Sequence, residues 1–482
     1  MPKRFIEIPD ELSELGDVFD SILANVRGTV ARTGGGKAVD YEEVETAISA
    51  DAGRVERAAH RTVLQSLDID APAVIIGGDR YNRVGRCLAP YHTLAGSVPI
   101  ERSLYRRSGT RGGTPEGKVV DAVSLRAGVV GEGWLPRTAR AMAHEVQKGT
   151  SREAEGSALE TGRLAYARAS FERVAHLVGA LAVANRQDIE DVLIDAYEVP
   201  KEARSISVSL DRVSVPMEEP RQRPVGRPRK DAAKNPVARN YRMAYCGTVT
   251  LHDEEGAALH TIRYGCMPKG DIDGLCKRLA ADVATLTSKK RGLKIQLLCD
   301  GAPEMWNLLE AAFPEEQFAT PKEPVYRLVD LHHLTEKLGK AARVIDPSSP
   351  GETLNRWKTG LLKRGGEATS IYEELIDSEK ENVKVGDTRP IHDAITYLER
   401  HAEHAERMNY ARARRLGLPL ASGNVEATCK SLFEMRLKRC GARWKDETGE
   451  HIVQLRALAL SDRWGPAVKL VLRPLRLAVR AA

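Results

Sequence analysis

The chain lacks the cysteine spacing of a stapled or zinc-bound protein. Its seven cysteines, at 87, 246, 266, 276, 299, 429 and 440, form neither a CxxC pair nor an even framework. That excludes a disulfide scaffold and a cysteine-based structural zinc site, and predicts reduced thiols in a cytosolic protein. Long apolar runs are missing too. No stretch of 18 uninterrupted apolar residues occurs, and the opening MPKRFIEIPDELSELGDVFD turns acidic at once with no apolar core, so neither a membrane span nor a secretory leader is expected. A phosphate loop is also wanting. TGGGKAV around Lys37 lacks the spacing GxxxxGK followed by Ser or Thr, and Ala38 stands where a magnesium-binding hydroxyl is needed. With no other cofactor motif present, a cofactor-dependent metabolic enzyme is not expected.

What is present is length and localised charge. At 482 residues and 53.0 kDa the chain calls for two to four domains. Its net charge of +6 is modest, but the basic residues are concentrated, and a phosphate backbone responds to local charge. Expected boundaries are an amino-terminal region 1–135 of open role, a helical module 136–200, the first part of an α/β domain 201–344, a helical insertion 345–420, and the end of that domain with a tail, 421–482.

In the first region, Tyr41 to Leu67 has the pattern of amphipathic helix. Ser97 to Gly113, with Arg102, Arg106, Arg107 and Arg111, reads as a basic loop, either along DNA or simply solvated. Lys118 to Leu125 reads as a strand. Residues 137–180 read as short helices broken near Gly149 and Gly162, with Ser151 and Ser170 as N-caps. They fit a helix-turn-helix DNA-binding module or a small packing bundle.

The richest stretch is Leu293 to Pro314, LKIQLLCDGAPEMWNLLEAAFP. Ile295, Leu297 and Leu298 mark a buried strand that ends in Asp300, and Pro303 opens a helix. A carboxylate at the end of an α/β strand stands where such sheets hold ligands and metals. Upstream, SISVSL at Ser205 to Leu210 alternates as a sheet strand and leads to Asp211. Two hairpin strands about Asp253 to Gly256 and a helix from Ile272 follow. This order opens a ribonuclease-H-like α/β fold, in which the first and fourth strands are neighbours and would bring the two acids together.

Between them, Arg221 to Arg242 is a proline-rich basic arm carrying Arg223, Arg227, Arg229, Lys230 and Lys234, expected to be exposed and to bind DNA phosphates. GRPRK at Gly226 to Lys230 resembles the core of an AT-hook. Val325 to Leu331 reads as a fifth strand, followed by His332 and His333. Adjacent histidines on a strand point to opposite sides, so they are expected as auxiliary phosphate contacts and not as a zinc pair. Near the end, Asn424 can cap a helix bearing Glu426 in its first turn, with Lys430, Arg436, Lys438, Arg439 and Arg443 around it as a second DNA-binding set. Asp211, Asp300 and Glu426 together make an oxygen-ligand site suited to magnesium or manganese, as two ions, for in-line displacement at phosphorus.

DGAPEMW with AFP, VDLHHLTEKLGKAA, SGNVEATCKSLFEMRLKRCGARW and LRALALSDRWG resemble, in order and spacing, the transposases of ISKra-type insertion sequences, a DDE-class family. The resemblance covers roughly residues 200 to 465. It implies Asp211, Asp300 and Glu426 as the catalytic triad, double-stranded DNA at element ends and targets as partner, a homodimer or larger assembly, and a bacterial cytoplasmic location on DNA. The family commonly has glycine after its first acid, where this chain has Arg212. A nuclease of the same fold that cuts without joining, and an inactive DNA-binding descendant, remain open beside it.

Overall fold

A computed structural model describes residues 7–34, 36, 38–218, 240–321, 323–382 and 388–482. The chain forms two compact units, Met1–Asn185 with Gly465–Ala482, and Arg186–Trp464. The expected boundaries differ from this at both ends. The helices of the 136–200 module divide at Asn185, and the tail joins the first unit, because its last residues pair with a strand there.

In the first unit, helix α1 (Ser13–Thr33) is followed by α2 (Tyr41–Gln65), which starts where the Asp40 side chain accepts from the Glu42 and Glu43 amides. A sheet follows from β1 (Ala73–Ile76), β2 (Asp79–Thr93), β3 (Gly96–Arg107) and β4 (Val120–Asp121). The stretch read as a basic loop is thus strand β3 as far as Arg107. Arg102 is held by Asp121 at 2.7 Å and Arg107 by Asp79 at 2.9 Å, so their charge is compensated within the sheet. Asp121 ends the short strand by capping helix Ala122–Ala127, which corrects the longer strand read over Lys118 to Leu125. Helices Pro136–Lys148, Ser151–Thr161 and Arg168–Ala184 come next. Thr150 caps the second through a reciprocal capping box with Glu153, and Ala167 precedes the third, so neither Ser151 nor Ser170 is a cap.

The second unit is built on β5 (Ser205–Met217), β6 (Asn240–His252), β7 (Ala258–Cys266), β8 (Lys294–Cys299) and β9 (Tyr326–Val329). The remaining strand, β10 (Val479–Ala481), completes the first unit's sheet, ordered β10-β1-β2-β3-β4. The second sheet runs β7-β6-β5-β8-β9. Its pairs β5–β6 and β6–β7 are antiparallel, and β5–β8 and β8–β9 are parallel. Strand β8 reads KIQLLC and is buried from Ile295 onward, as a central parallel strand covered on both faces must be. Residues of 345–420 share its core: Trp357, Leu361, Ile371, Leu375, Ile391 and Tyr410 pack in one apolar cluster with Leu297, Met305 and Trp306. Among the described residues no helix is long and apolar enough to cross a membrane.

Candidate active site

Strand β8 ends at Cys299 and hands the chain to Asp300. The Asp300 carboxylate accepts from the Ala302 amide at 3.0 Å, turning the chain into helix Pro303–Ala312. Gly301 makes this turn possible, with φ +89. A Cβ there would sit 2.8 Å from His401 Nε2 and 3.0 Å from the Tyr397 hydroxyl, so both backbone angle and space demand glycine. The Tyr397 hydroxyl also donates to the Asp300 carbonyl at 2.8 Å. Helix Arg389–Glu399, part of the expected insertion, therefore clamps the turn that carries the acid.

Asp211 lies within β5, not at its end. The parallel pairing of β5 with β8 reaches Val208 and Leu297; three residues further on stand Asp211, still within β5, and Asp300, just past the end of β8. Asp211 accepts from the Arg212 amide at 2.6 Å and from the Cys429 thiol at 3.3 Å. Burial pushes its carboxyl up, and the charge of Asp300 adds to the rise, while both hydrogen bonds and the charge of His333 oppose it. Arg212 turns outward to pair with Glu304, which also accepts from the Tyr245 hydroxyl at 2.6 Å.

Glu426 occupies the first turn of helix Gly423–Thr428, which runs on through a π-helical turn, Cys429–Glu434, to Met435–Leu437. Such widened turns concentrate at functional sites because they redirect side chains without ending the helix. Here the turn begins at Cys429, the residue that reaches Asp211. The expected cap by Asn424 is not made, since Asn424 lies inside the helix.

The segment after β9 departs most from its sequence reading. Strand β9 stops at Val329, and Asp330 caps helix Leu331–Ile345 by accepting from the His333 amide at 2.9 Å. His332 and His333 are therefore in a helical first turn and not on a strand; His332 is exposed and His333 half-buried. The His333 ring stands 3.5 Å from Asp330 and 3.6 Å from Glu426. The neighbouring Asp330 carboxylate pushes its pKa up to about 9, and Glu426 and Asp300 add to this against the opposing effect of burial. His333 is thus a cation at neutral pH and a charge neighbour of Asp211, Asp300, Asp330 and Glu426 alike.

Asp330, His333 and Glu426 present ligand atoms within 4.8 Å of one another, a group that could hold a metal ion. Its members are not equally suited. Fully buried Asp330 already accepts from the His333 amide and from both the amide and the hydroxyl of Ser422. His333 would have to shed its proton first. Glu426 is exposed, with 47% of its side chain accessible, and has oxygens to offer. Two of the three groups offer carboxylate oxygens and the third an imidazole nitrogen.

The expected DNA-binding residues divide into several groups. Lys430 and Arg443 are exposed. Lys438 pairs with Glu434 at 2.8 Å, and Arg439 donates to the Met435 carbonyl at 3.2 Å. Arg436 is a correction: only 6% exposed, it lies over the Trp444 ring at 4.9 Å, so its guanidinium serves packing and is withdrawn from solvent. Arg223, Arg227, Arg229, Lys230 and Lys234 lie outside the described residues.

No family model matches the chain, so the resemblance to insertion-sequence transposases gains no support from that side. No curated protein matches it either. Among solved structures, the chain is similar to the Drosophila P element transposase strand transfer complex, at 9% identity and a TM-score of 0.32, over 67% of this chain and 91% of that one. So loose a likeness leaves function to be argued from the chemistry of the site.

Proposed function

We propose that the second unit is a ribonuclease-H-like catalytic domain, and that the protein is a DDE-type transposase which cleaves and joins DNA with divalent metal ions. One observation carries this reading. Asp211 and Asp300 each stand three residues past the parallel pair Val208 and Leu297, Cys429 from the helix that follows Glu426 reaches Asp211, and the His333 ring stands 3.6 Å from Glu426. The sheet order β7-β6-β5-β8-β9, antiparallel on one side of β5 and parallel on the other, supports the fold assignment, since it is the order in which the first and fourth strands are neighbours.

In this reading Asp211, Asp300 and Glu426 would hold magnesium or manganese, which would supply activation of an attacking water or DNA 3′-hydroxyl and stabilisation of charge on the departing oxygen. The chain's own groups set the stage for that chemistry. Cys429 and the Arg212 amide orient Asp211, the Gly301 turn aims Asp300, and Asp330 anchors the start of the Glu426 helix through Ser422. The His333 cation offsets repulsion among the carboxylates. Exposed Lys430 and Arg443 offer charge to phosphates.

The test is a magnesium- or manganese-dependent cleavage and joining assay on the DNA flanking the element ends, run with the intact protein and with Asp300→Ala. Joined products that vanish in the variant are expected. Cleavage without joining would favour a nuclease of the same fold, and DNA binding with no metal-dependent product from either protein would leave only the inactive descendant.

A further inference from the structure

Helix α1 presents a face that its own unit does not use. The 21-residue helix contains no buried residue, although an isolated helix of that kind is marginal unless one side is packed. One side is engaged by α2: Asn25 donates to Asp51 at 3.1 Å, Arg54 to Ser21 at 3.0 Å and Arg61 to Glu14 at 2.5 Å. Another side carries Phe19, Leu23, Val26 and Val30, exposed by 47%, 54%, 43% and 63%. Their spacing of four, three and four residues is the seam of a two-helix coiled coil.

The seam is complementary to itself. Laid antiparallel on a second α1, with Leu23 facing Val26 of the other copy, it also sets Phe19 against Val30, so every layer joins one larger side chain to one valine. Small-against-large layers are the packing that fills such a seam. Charge follows the same symmetry. Asp20 and Arg27, both exposed, flank the seam along one edge, and in the antiparallel arrangement each Asp20 lies beside Arg27 of the other copy, twice over. A parallel arrangement stacks Phe19 on Phe19 and loses both pairs. A twofold contact of this kind is the commonest form of self-association.

We propose that α1 is a dimerisation helix that pairs antiparallel with α1 of a second copy of this chain. The occupant is a second copy because apolar spacing and charge order are matched by the helix itself. The inference does not rest on the catalytic reading. Four apolar side chains per copy make a small interface, so on its own the contact forms a reversible dimer, weaker than obligate ones.

The experiment is sedimentation equilibrium of the full chain, with circular dichroism as a check on folding. The wild-type protein is expected to dimerise at about 10 µM, and Leu23→Asp to weaken dimerisation at least tenfold, because it buries an unpaired charge in the seam. Asp20→Arg and Arg27→Asp should each weaken it by roughly threefold or more through like-charge contacts, and the double exchange should restore it. All three side chains concerned are exposed in the unit, so folding should be retained. A wild-type monomer at about 100 µM, a dimer indifferent to Leu23→Asp, or a double exchange that fails to restore association would each overturn the proposal.

Discussion

The Ser422 hydroxyl donates to the buried carboxylate of Asp330 at 2.6 Å, across 92 positions of sequence. This bond joins the end of β9 to the start of the helix that bears Glu426. The Ser422 amide donates to the same oxygen, while the other oxygen caps the helix of His333. One carboxylate thereby fixes two helix starts.

Replacing Asp330 should therefore cost stability and function together. Asp330→Ala leaves buried donors of Ser422 and His333 without an acceptor, a loss of about 3 kcal/mol or more. Asp330→Asn keeps part of the geometry and should fall between. Although burial pushes the Asp330 carboxyl up, hydrogen bonds from His333 and Ser422 outweigh it and hold it below the usual carboxylate range. Its contribution is thus present above the unfolded pKa and lost as pH falls through the folded one. Denaturant titrations of both variants would test this, and unchanged midpoints would rule out the anchoring role.

Gly301→Ala should disturb the site more than the fold. The added methyl meets His401 and Tyr397 at a positive φ, a strain of about 1–3 kcal/mol that the turn can relieve only by moving Asp300. Metal-dependent activity is expected to fall by at least tenfold while the melting temperature drops by a few degrees. Wild-type activity in this variant would show that the turn has slack.

His333→Gln separates two roles of the imidazole. A resident cation beside Glu426 and Asp300 repels an incoming divalent ion, so its removal should tighten manganese binding by about threefold to tenfold near neutral pH. Calorimetric titration reads this directly. Weaker binding would mean instead that the ring is itself a ligand.

Away from the site, Asp282 gives a pH signature. Burial pushes its carboxyl up to about 7, with Glu190 adding to the rise and the Tyr264 hydroxyl and Arg463 opposing it. A raised folded pKa contributes stability that is full below the unfolded value near ~4 and is lost as pH rises to about 7. Compared with Asp282→Asn, the wild-type protein should lose up to about 4 kcal/mol between those limits. Parallel stability profiles for the two proteins would refute it.

Local pattern carried much of the second unit. The apolar run before Asp300, the alternation before Asp211 and the turn about Asp253 to Gly256 place strands that the structure contains, because burial on a sheet imposes its period on the sequence. Local pattern does not place His332 and His333, for the complementary reason. An aspartate after a strand reads alike whether the strand continues or the residue caps a helix, and only the hydrogen bond to the His333 amide decides it. In sequence Arg436 is indistinguishable from its basic neighbours, and only the Trp444 ring beneath it sets it apart.

By itself the sequence determined the strands that lead to Asp211 and Asp300 and where acids and bases concentrate, since periodicity and charge are local properties. Tertiary structure alone decided that β10 returns to pair with β1, that Tyr397 clamps the Asp300 turn, and that Asp330 and His333 stand beside Glu426. Those relationships join residues far apart in the chain, and their partners are chosen by how helices and strands pack, which no local pattern records.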